Sequence, residues 1–316
     1  MFKHLNSRSI WVPLFGLLLI FASPAQAAVI RADSAVVYED VGAGINREVI
    51  FGPTGSNSSA ISYTSTSGGS AASGYGQASF GALHASAFSA ALGGNRVETR
   101  GQGSASWIDQ LTISNSTLTG TSAFARASFS LSGGLNSLSD PLSVGALGNS
   151  TIAAAVRVNG GPVFSTGGQL VSRNGAIITN ELNRGLAVDG VFQSDPVTDL
   201  TGTFSFDIPF VFGTSFQLFA NLTAFTQALA TGGQASAYSD FGSSGYWEGI
   251  SGVRLTNGTV VSGSSLSSDS GFDWNNAFPR SPITPPPPGQ APEPASLALL
   301  GIGLAGLAAM RRRKTV

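Results

Sequence analysis

Apolar and polar residues alternate with a period of two along much of the chain. The clearest run covers residues 203–212, and its apolar positions are Phe204, Phe206, Ile208, Phe210 and Phe212. A period of two places every second side chain on the same face of a β-strand. A second alternating run, residues 216–224, follows Gly213. We therefore predict two strands joined as a hairpin that turns at residues 212–214.

Similar alternation predicts strands at residues 105–113, 123–131 and 152–158. In the first of these, Asp109 lies in register with apolar residues. Further along, Asn257-Gly258 separates two short apolar runs, which is typical of a hairpin with a type I′ turn. Gly, Ser and Thr dominate the segments between the runs and are poor helix formers. We therefore predict an all-β fold, an antiparallel β-sandwich or jelly roll, in a single domain at residues 28–278.

The first 27 residues have the three parts of a secretory signal peptide. Lys3 and Arg8 supply the positive charge, and the apolar run Ile10–Ala22 follows. Ala25 and Ala27 then place small residues at the −3 and −1 positions, so we predict cleavage after Ala27. This assignment implies export by the Sec machinery. An uncleaved membrane anchor is the alternative.

The other end of the chain begins with a proline-rich linker. Eight of the 15 prolines lie between Pro279 and Pro294, and we assign residues 279–291 as the linker. The apolar stretch 295–310 would form a helix of about 24 Å, which is short but sufficient to span a membrane. The stretch is followed by the basic stop-transfer residues Arg311, Arg312, Arg313 and Lys314. Because such cations do not readily cross a membrane, we predict a transient inner-membrane anchor with a cytoplasmic C-terminus.

The motif Pro292-Glu293-Pro294, the Gly/Leu/Ala-rich apolar stretch and the basic cluster, in this order, resemble the PEP-CTERM sorting signal. Proteins with this signal are substrates of exosortases in Gram-negative bacteria that make exopolysaccharide and biofilm. The resemblance covers residues 292–316 and implies that Pro292, Glu293 and Pro294 form the sorting motif. It further implies that exosortase cuts the chain near this motif. An ordinary C-terminal membrane anchor is the alternative.

The charge of the region between the two signals differs from that of the whole chain. Residues 28–290 contain 10 arginines, no lysine and 16 acidic residues, a formal charge of −6, whereas the whole chain has −1. Negative charge disfavours nucleic acid as a partner. The chain has no cysteine, so disulfides, zinc–thiolate sites and cysteine nucleophiles are excluded.

Few residues suggest catalysis, and we predict no enzymatic activity, no catalytic residue and no cofactor. His84 is the only histidine outside the signal peptide, and no nucleophile-elbow motif accompanies it. The local acidic pairs, which we interpret as turn residues, are Glu39/Asp40, Asp195/Asp199 and Asp269/Asp273. A glycoside hydrolase that uses such a pair is the less favoured enzymatic alternative. The oxygens of Asp269, Asp273 and Asn275 are weak candidate ligands for calcium.

We therefore predict a secreted or surface-associated β-sandwich protein that is sorted through the exosortase pathway. Its expected place is the cell surface or the exopolysaccharide matrix of a biofilm. A lectin-like carbohydrate-binding module is the alternative, because aromatic residues such as Tyr246 and Trp247 would stack on sugar rings if they were exposed. The favoured interpretation of these two residues is that they complete a sheet edge or the rim of the core.

Overall fold

Alternating apolar and polar residues form β-strands through almost all of the chain that the structure describes, and the all-β prediction is confirmed. The strands are β1 (Val29–Asp40), β2 (Ile45–Phe51), β3 (Ser58–Thr64), β4 (Ala71–Ser79), β5 (Ala82–Ser114), β6 (Ser122–Ser139), β7 (Leu147–Val158), β8 (Gly161–Arg173), β9 (Ala176–Asn183), β10 (Leu200–Val211), β11 (Ser215–Leu255), β12 (Val260–Val261) and β13 (Ser265–Ser268). All paired strands are antiparallel.

The computed structural model describes residues 28–40, 45–52, 58–64, 70–143, 145–183 and 200–279. The chain divides into two compact units, Met1–Phe278 and Pro279–Val316, and all described residues except Pro279 belong to the first. The predicted signal peptide, nearly all of the linker and the whole predicted sorting signal lie outside the described residues. In the described part of the chain there is no helix that could span a membrane.

Two unusually long strands organise the fold. β5 has 33 residues and β11 has 41, and the two pair with each other along nearly their whole length. Both strands fold back on themselves near the pair Gly93 and Gly233, where the register shifts and Gly232 has a φ of +74°. A residue with a side chain is strained at such a φ, which is why glycine is needed at this bend.

The bends turn one hydrogen-bonded sheet into a sandwich of two layers. Layer A contains, in spatial order, β2, β1, residues 97–114 of β5, residues 215–231 of β11, β7, β8 and β9. Layer B contains β3, β4, residues 82–93 of β5, residues 233–255 of β11, β6 and β10. The connection through two shared strands fixes how the layers face each other.

The space between the layers changes along the sandwich. At the end nearest the bends, which we call the narrow end, the inward residues are mostly Gly, Ala and Ser, and the two layers approach to backbone contact. A Cβ on Gly103 would lie 1.9 Å from the carbonyl oxygen of Tyr75. At the opposite, wide end, the buried residues are large, as with Trp107, Trp247 and Phe206. The large apolar surface buried by the fold is therefore concentrated at the wide end.

The predicted hairpin of residues 203–224 is wrong, although both strands exist. β10 pairs with β6 in layer B, whereas the start of β11 pairs with β5 and β7 in layer A. The turn at Phe212 and Gly213 carries the chain from one layer to the other. Its backbone bonds to other segments, since Gly213 N donates to Ile113 O at 2.9 Å. Period-two alternation cannot distinguish this connection from a hairpin, because both place an apolar face on each strand.

The predicted hairpin at Asn257-Gly258 is confirmed, because Arg254 pairs with Val260 across the turn. Its predicted turn type is wrong, because a type I′ turn needs a positive φ at both residues, and of this pair only Gly258 has one, +87°. Two other Asn-Gly pairs do have positive φ at both residues: Asn159-Gly160 joins β7 to β8, and Asn174-Gly175 joins β8 to β9.

Candidate functional site

The last part of the body closes the wide end and leads directly to the linker. We call residues 262–278 the closing segment. Its strand β13 pairs with the end of β5, and Asp269 N then donates to Gln110 O at 3.0 Å. From there the chain turns inward, and the side chain of Trp274 is fully buried. The closing segment therefore completes the core just before residue 279.

Asp109 is the polar centre that holds the closing segment. The residue is fully buried on the inner face of β5. Its carboxylate accepts hydrogen bonds from Trp274 Nε1 at 2.8 Å, from Ser270 N at 3.1 Å and from the Ser270 hydroxyl. A buried carboxylate is tolerated only with such partners. The sequence contains a signal for this contact, because Asp109 is an acidic residue at a period-two position between the apolar Trp107 and Leu111.

Three tryptophans pack around this point, and they come from distant parts of the chain. Trp274 lies 4.5 Å from Trp107 and 5.2 Å from Trp247, measured between ring centroids. Trp247 Nε1 donates to the carbonyl oxygen of Trp274 at 2.8 Å. Trp247 is fully buried, which agrees with the favoured interpretation that it completes the core and excludes the alternative that it is exposed for stacking on sugars.

The end of the closing segment is anchored on layer B. Phe278 N donates to Trp247 O at 2.8 Å, and the Phe278 ring stacks on Tyr246 with centroids 5.8 Å apart. Gly81 leaves room for this packing, because a Cβ there would lie 2.6 Å from the Phe272 ring. Tyr246, the other predicted stacking residue, is half-buried and takes part in this anchor. The first compact unit thus ends at Phe278, and the predicted proline-rich linker begins at the next residue.

The residues weighed for catalysis lie on several different elements of the described chain. His84 is half-buried and packs edge-on against Tyr246, with ring centroids 5.7 Å apart. Glu39 and Asp40 are neighbours on β1, so their side chains point to opposite faces. Asp40 accepts a hydrogen bond from the Tyr38 hydroxyl at 3.1 Å. The third pair, Asp195/Asp199, lies outside the described residues.

The weak calcium candidates lie on the closing segment. Asp269, Asp273 and Asn275 are all exposed. Asp273 accepts hydrogen bonds from Asn276 Nδ2 at 2.6 Å and from Asn275 N at 3.0 Å, and these bonds lower the pKa of its carboxyl group. Among the described residues no three His, Cys, Asp or Glu side chains are grouped closely enough to hold a metal ion. Calcium binding therefore stays a prediction.

Two buried or half-buried acids are neutralised by arginines on the outer faces of the sheets. Glu98 is paired with Arg96 and Arg100, and it also accepts a hydrogen bond from Gln227 Nε2 at 2.8 Å. The second acid has the same kind of environment, since Asp207 is paired with Arg126 and Arg254. The Glu98 pairs lie within β5, whereas the Asp207 pairs link β10 to β6 and β11, so several of the arginines in the body have a structural role.

Comparison with known proteins identifies one region of the chain. Residues 290–314 match the family described as the PEP-CTERM protein-sorting motif. The match includes the predicted motif Pro292-Glu293-Pro294 and the basic residues 311–314. No curated protein and no solved structure matches the chain. The chain is therefore a protein with a PEP-CTERM sorting domain, and this motif implies export and sorting of a surface protein through the exosortase pathway.

Proposed function

We propose that the chain is a non-enzymatic structural protein of the cell surface or of the exopolysaccharide matrix of a biofilm. The Sec machinery exports it, the apolar stretch 295–310 holds it briefly in the inner membrane, and exosortase cuts it near Pro292-Glu293-Pro294. The observation that carries this proposal is the sorting motif at residues 290–314, which follows a compact unit that ends at Phe278.

The chemistry of the described body supports a structural role. Its most deeply buried acid, Asp109, binds the closing segment rather than facing a cleft. The described His84 packs against an aromatic ring, and the acids Glu98 and Asp207 are paired with arginines. The chain has no cysteine, so the folded state depends on packing and on hydrogen bonds between strands. These are properties of a durable scaffold.

The proposal is tested by the covalent form of the exported protein. The full chain is expressed in a host with an exosortase, and the exported product is analysed by intact mass spectrometry and by sequencing of both ends. We expect a product that begins at Ala28 and lacks Met310 and Arg311. Replacing Pro292 and Pro294 together by Ala is expected to leave the apolar stretch attached.

The matched control replaces two linker prolines, Pro285 and Pro286, by Ala. This control removes the same number of prolines outside the motif and is expected to be processed normally. An exported wild-type product that still contains Met310 and Arg311 would contradict the proposal. Equal processing of the motif variant and the control would contradict the role of the motif.

A further inference from the structure

At the narrow end of layer B, small side chains point into the sandwich and large ones point outward. The inward residues there are small, namely Ala72, Gly74, Ala87, Ser89, Ala237 and Ser239. At this end the largest side chains of the same strands, those of Tyr75, Phe88 and Tyr238, point outward instead. At the wide end the order is reversed, since β10 carries Phe204 and Phe206 inward and Thr203 and Ser205 outward.

The outward residues at the narrow end form one continuous surface on four adjacent strands. We call it the aromatic face, and it consists of Tyr75, Gln77, Phe88, Asn136, Tyr238 and Asp240. Phe88, Tyr238 and Asn136 lie directly opposite one another on β5, β11 and β6. Tyr75 and Asp240 flank Ser86 in the next row. The rings of Phe88 and Tyr238 are 6.5 Å apart and nearly perpendicular, at 66°.

The aromatic rings of this face contribute little to the core of the sandwich. The Tyr238 side chain is 42% exposed, and Phe88 and Tyr75 are only half-buried. The inner face at this position is filled by backbone contact, so no large side chain is needed to close it. On β10 and β6 at the wide end, by contrast, several outward positions hold small polar residues, as with Thr203, Ser205 and Ser128. The exposed rings therefore need a reason other than folding.

Hydrogen-bonding groups surround the rings and hold them in place. The Tyr238 hydroxyl donates to Asp240, and burial together with this carboxylate raises the Tyr238 pKa to about 12. The phenol is thus protonated at any physiological pH. The Tyr75 hydroxyl donates to Gln77 Oε1 at 2.6 Å, and Asn136 is exposed beside Tyr238. Aromatic surface is consequently bordered by a carboxylate, two amides and two phenols.

We propose that the aromatic face binds a neutral polysaccharide. The apolar C–H face of a pyranose ring stacks on Tyr238 with Phe88 beside it, and the sugar hydroxyls bond to Asp240, Asn136 and Gln77. The six residues of the face carry one negative charge and no positive charge, and residues 28–290 carry −6, so an anionic polymer is repelled. This inference rests on the proposed role in the matrix and names the component that the body contacts there.

Affinity electrophoresis of the full chain tests the proposal. The protein is kept in a detergent without a sugar headgroup, and the native gels contain dextran, mannan or galactomannan, with alginate as the anionic comparison. We expect at least one neutral polymer to retard the protein and alginate to have no effect. Tyr238→Ala is expected to weaken binding and so to raise the dissociation constant about tenfold or more, as the loss of a central aromatic contact does in other interfaces.

Two matched variants separate the stacking of the ring from other effects. Tyr238→Phe keeps the ring and is expected to retain most of the affinity. Phe51→Ala removes an aromatic residue of β2 in layer A that is 64% exposed, and it is expected to bind like the wild type. Denaturant unfolding of each variant shows that the fold is kept, which is expected because Tyr238 and Phe51 lie outside the core.

The proposal is overturned if none of the neutral polymers retards the protein, or if Tyr238→Ala and Phe51→Ala weaken binding equally. Light scattering provides a separate outcome, since a wild-type dimer that Tyr238→Ala dissociates would make the face an interface between two copies of the chain. Failure of sugar binding in a protein that is exported and correctly cut would leave the proposed sorting intact. The two proposals can therefore fail independently.

Discussion

At the residue scale, the most informative position is Asp109. Its place among Ala105, Trp107, Leu111 and Ile113 is visible in the printed sequence, but its partners are 161 and 165 residues away. The carboxylate accepts hydrogen bonds from the backbone N–H and the hydroxyl of Ser270 and from the indole N–H of Trp274. A polar residue in an apolar register is therefore the link between a central strand and the end of the body.

Replacing Asp109 by Asn is expected to destabilise the protein by about 2–4 kcal/mol. The amide has only one acceptor oxygen, and its NH2 group would face the N–H and O–H groups that now donate to the second carboxylate oxygen. Urea unfolding followed by tryptophan fluorescence measures the effect. Asp33→Asn is the control, since Asp33 forms an exposed pair with Arg31 that is worth less than about 1 kcal/mol. Equal unfolding midpoints for both variants would show that the buried contact is not stabilising.

At the element scale, glycine determines how closely the layers approach. β5 folds over itself, so Gly103 in its second part faces the backbone of Ser86 in its first part. The Gly, Ala and Ser residues of these strands each bury little apolar area. Their small side chains instead allow the backbones of the two layers to approach each other closely. This close approach explains why a chain rich in glycine forms long, regular strands.

Gly103→Ala is therefore expected to cost about 3 kcal/mol or more, because the added Cβ would lie 1.9 Å from a backbone carbonyl that cannot move without shifting β4. Gly252→Ala on β11 is the matched control. A Cβ there would meet nothing within 4 Å, so this change is expected to be neutral or slightly stabilising. The free energy of unfolding in urea distinguishes the two. A Gly103→Ala variant as stable as Gly252→Ala would contradict the observed layer spacing.

At the scale of the whole molecule, the closing segment completes a core to which strands of both layers contribute. The buried cluster at the wide end includes residues of β5, β6, β7, β8, β10 and β11 together with Trp274. Without the closing segment, Asp109 would lose its hydrogen bonds from Ser270 and Trp274, and the volume of the Trp274 side chain would be empty. The stability of the body thus depends on its last 17 residues.

A chain that ends at residue 261 is expected to lose its cooperative unfolding transition. Loss of a buried Trp costs about 3–5 kcal/mol and an unpaired buried carboxylate a similar amount, whereas a whole domain is stable by about 5–15 kcal/mol. A chain that ends at residue 280 is the control and is expected to keep the transition. Near-UV circular dichroism and urea unfolding of both chains provide the measurement. Identical midpoints would show that the closing segment is dispensable.

Much of the fold could be predicted because alternation is a local property. The runs at 105–113, 123–131 and 152–158 lie on strands, and the run at 203–212 does so up to Val211. Sequence alone could not decide in the same way between a core role and a sugar-stacking role for Tyr246 and Trp247, because only the packing of Trp274 and Phe278 shows that they are covered. The aromatic face was equally hidden, since its residues come from four strands.

The sequence by itself determined the strand-forming pattern, the acidic body without cysteine and the sorting motif, because each depends on residues that are close along the chain. Only the tertiary structure decided that the run 203–224 crosses between layers, that Asp109 holds the closing segment and that large side chains point outward at the narrow end. These features depend on contacts between distant residues and on the folding of β5 and β11 over themselves, and a local pattern contains no information on either.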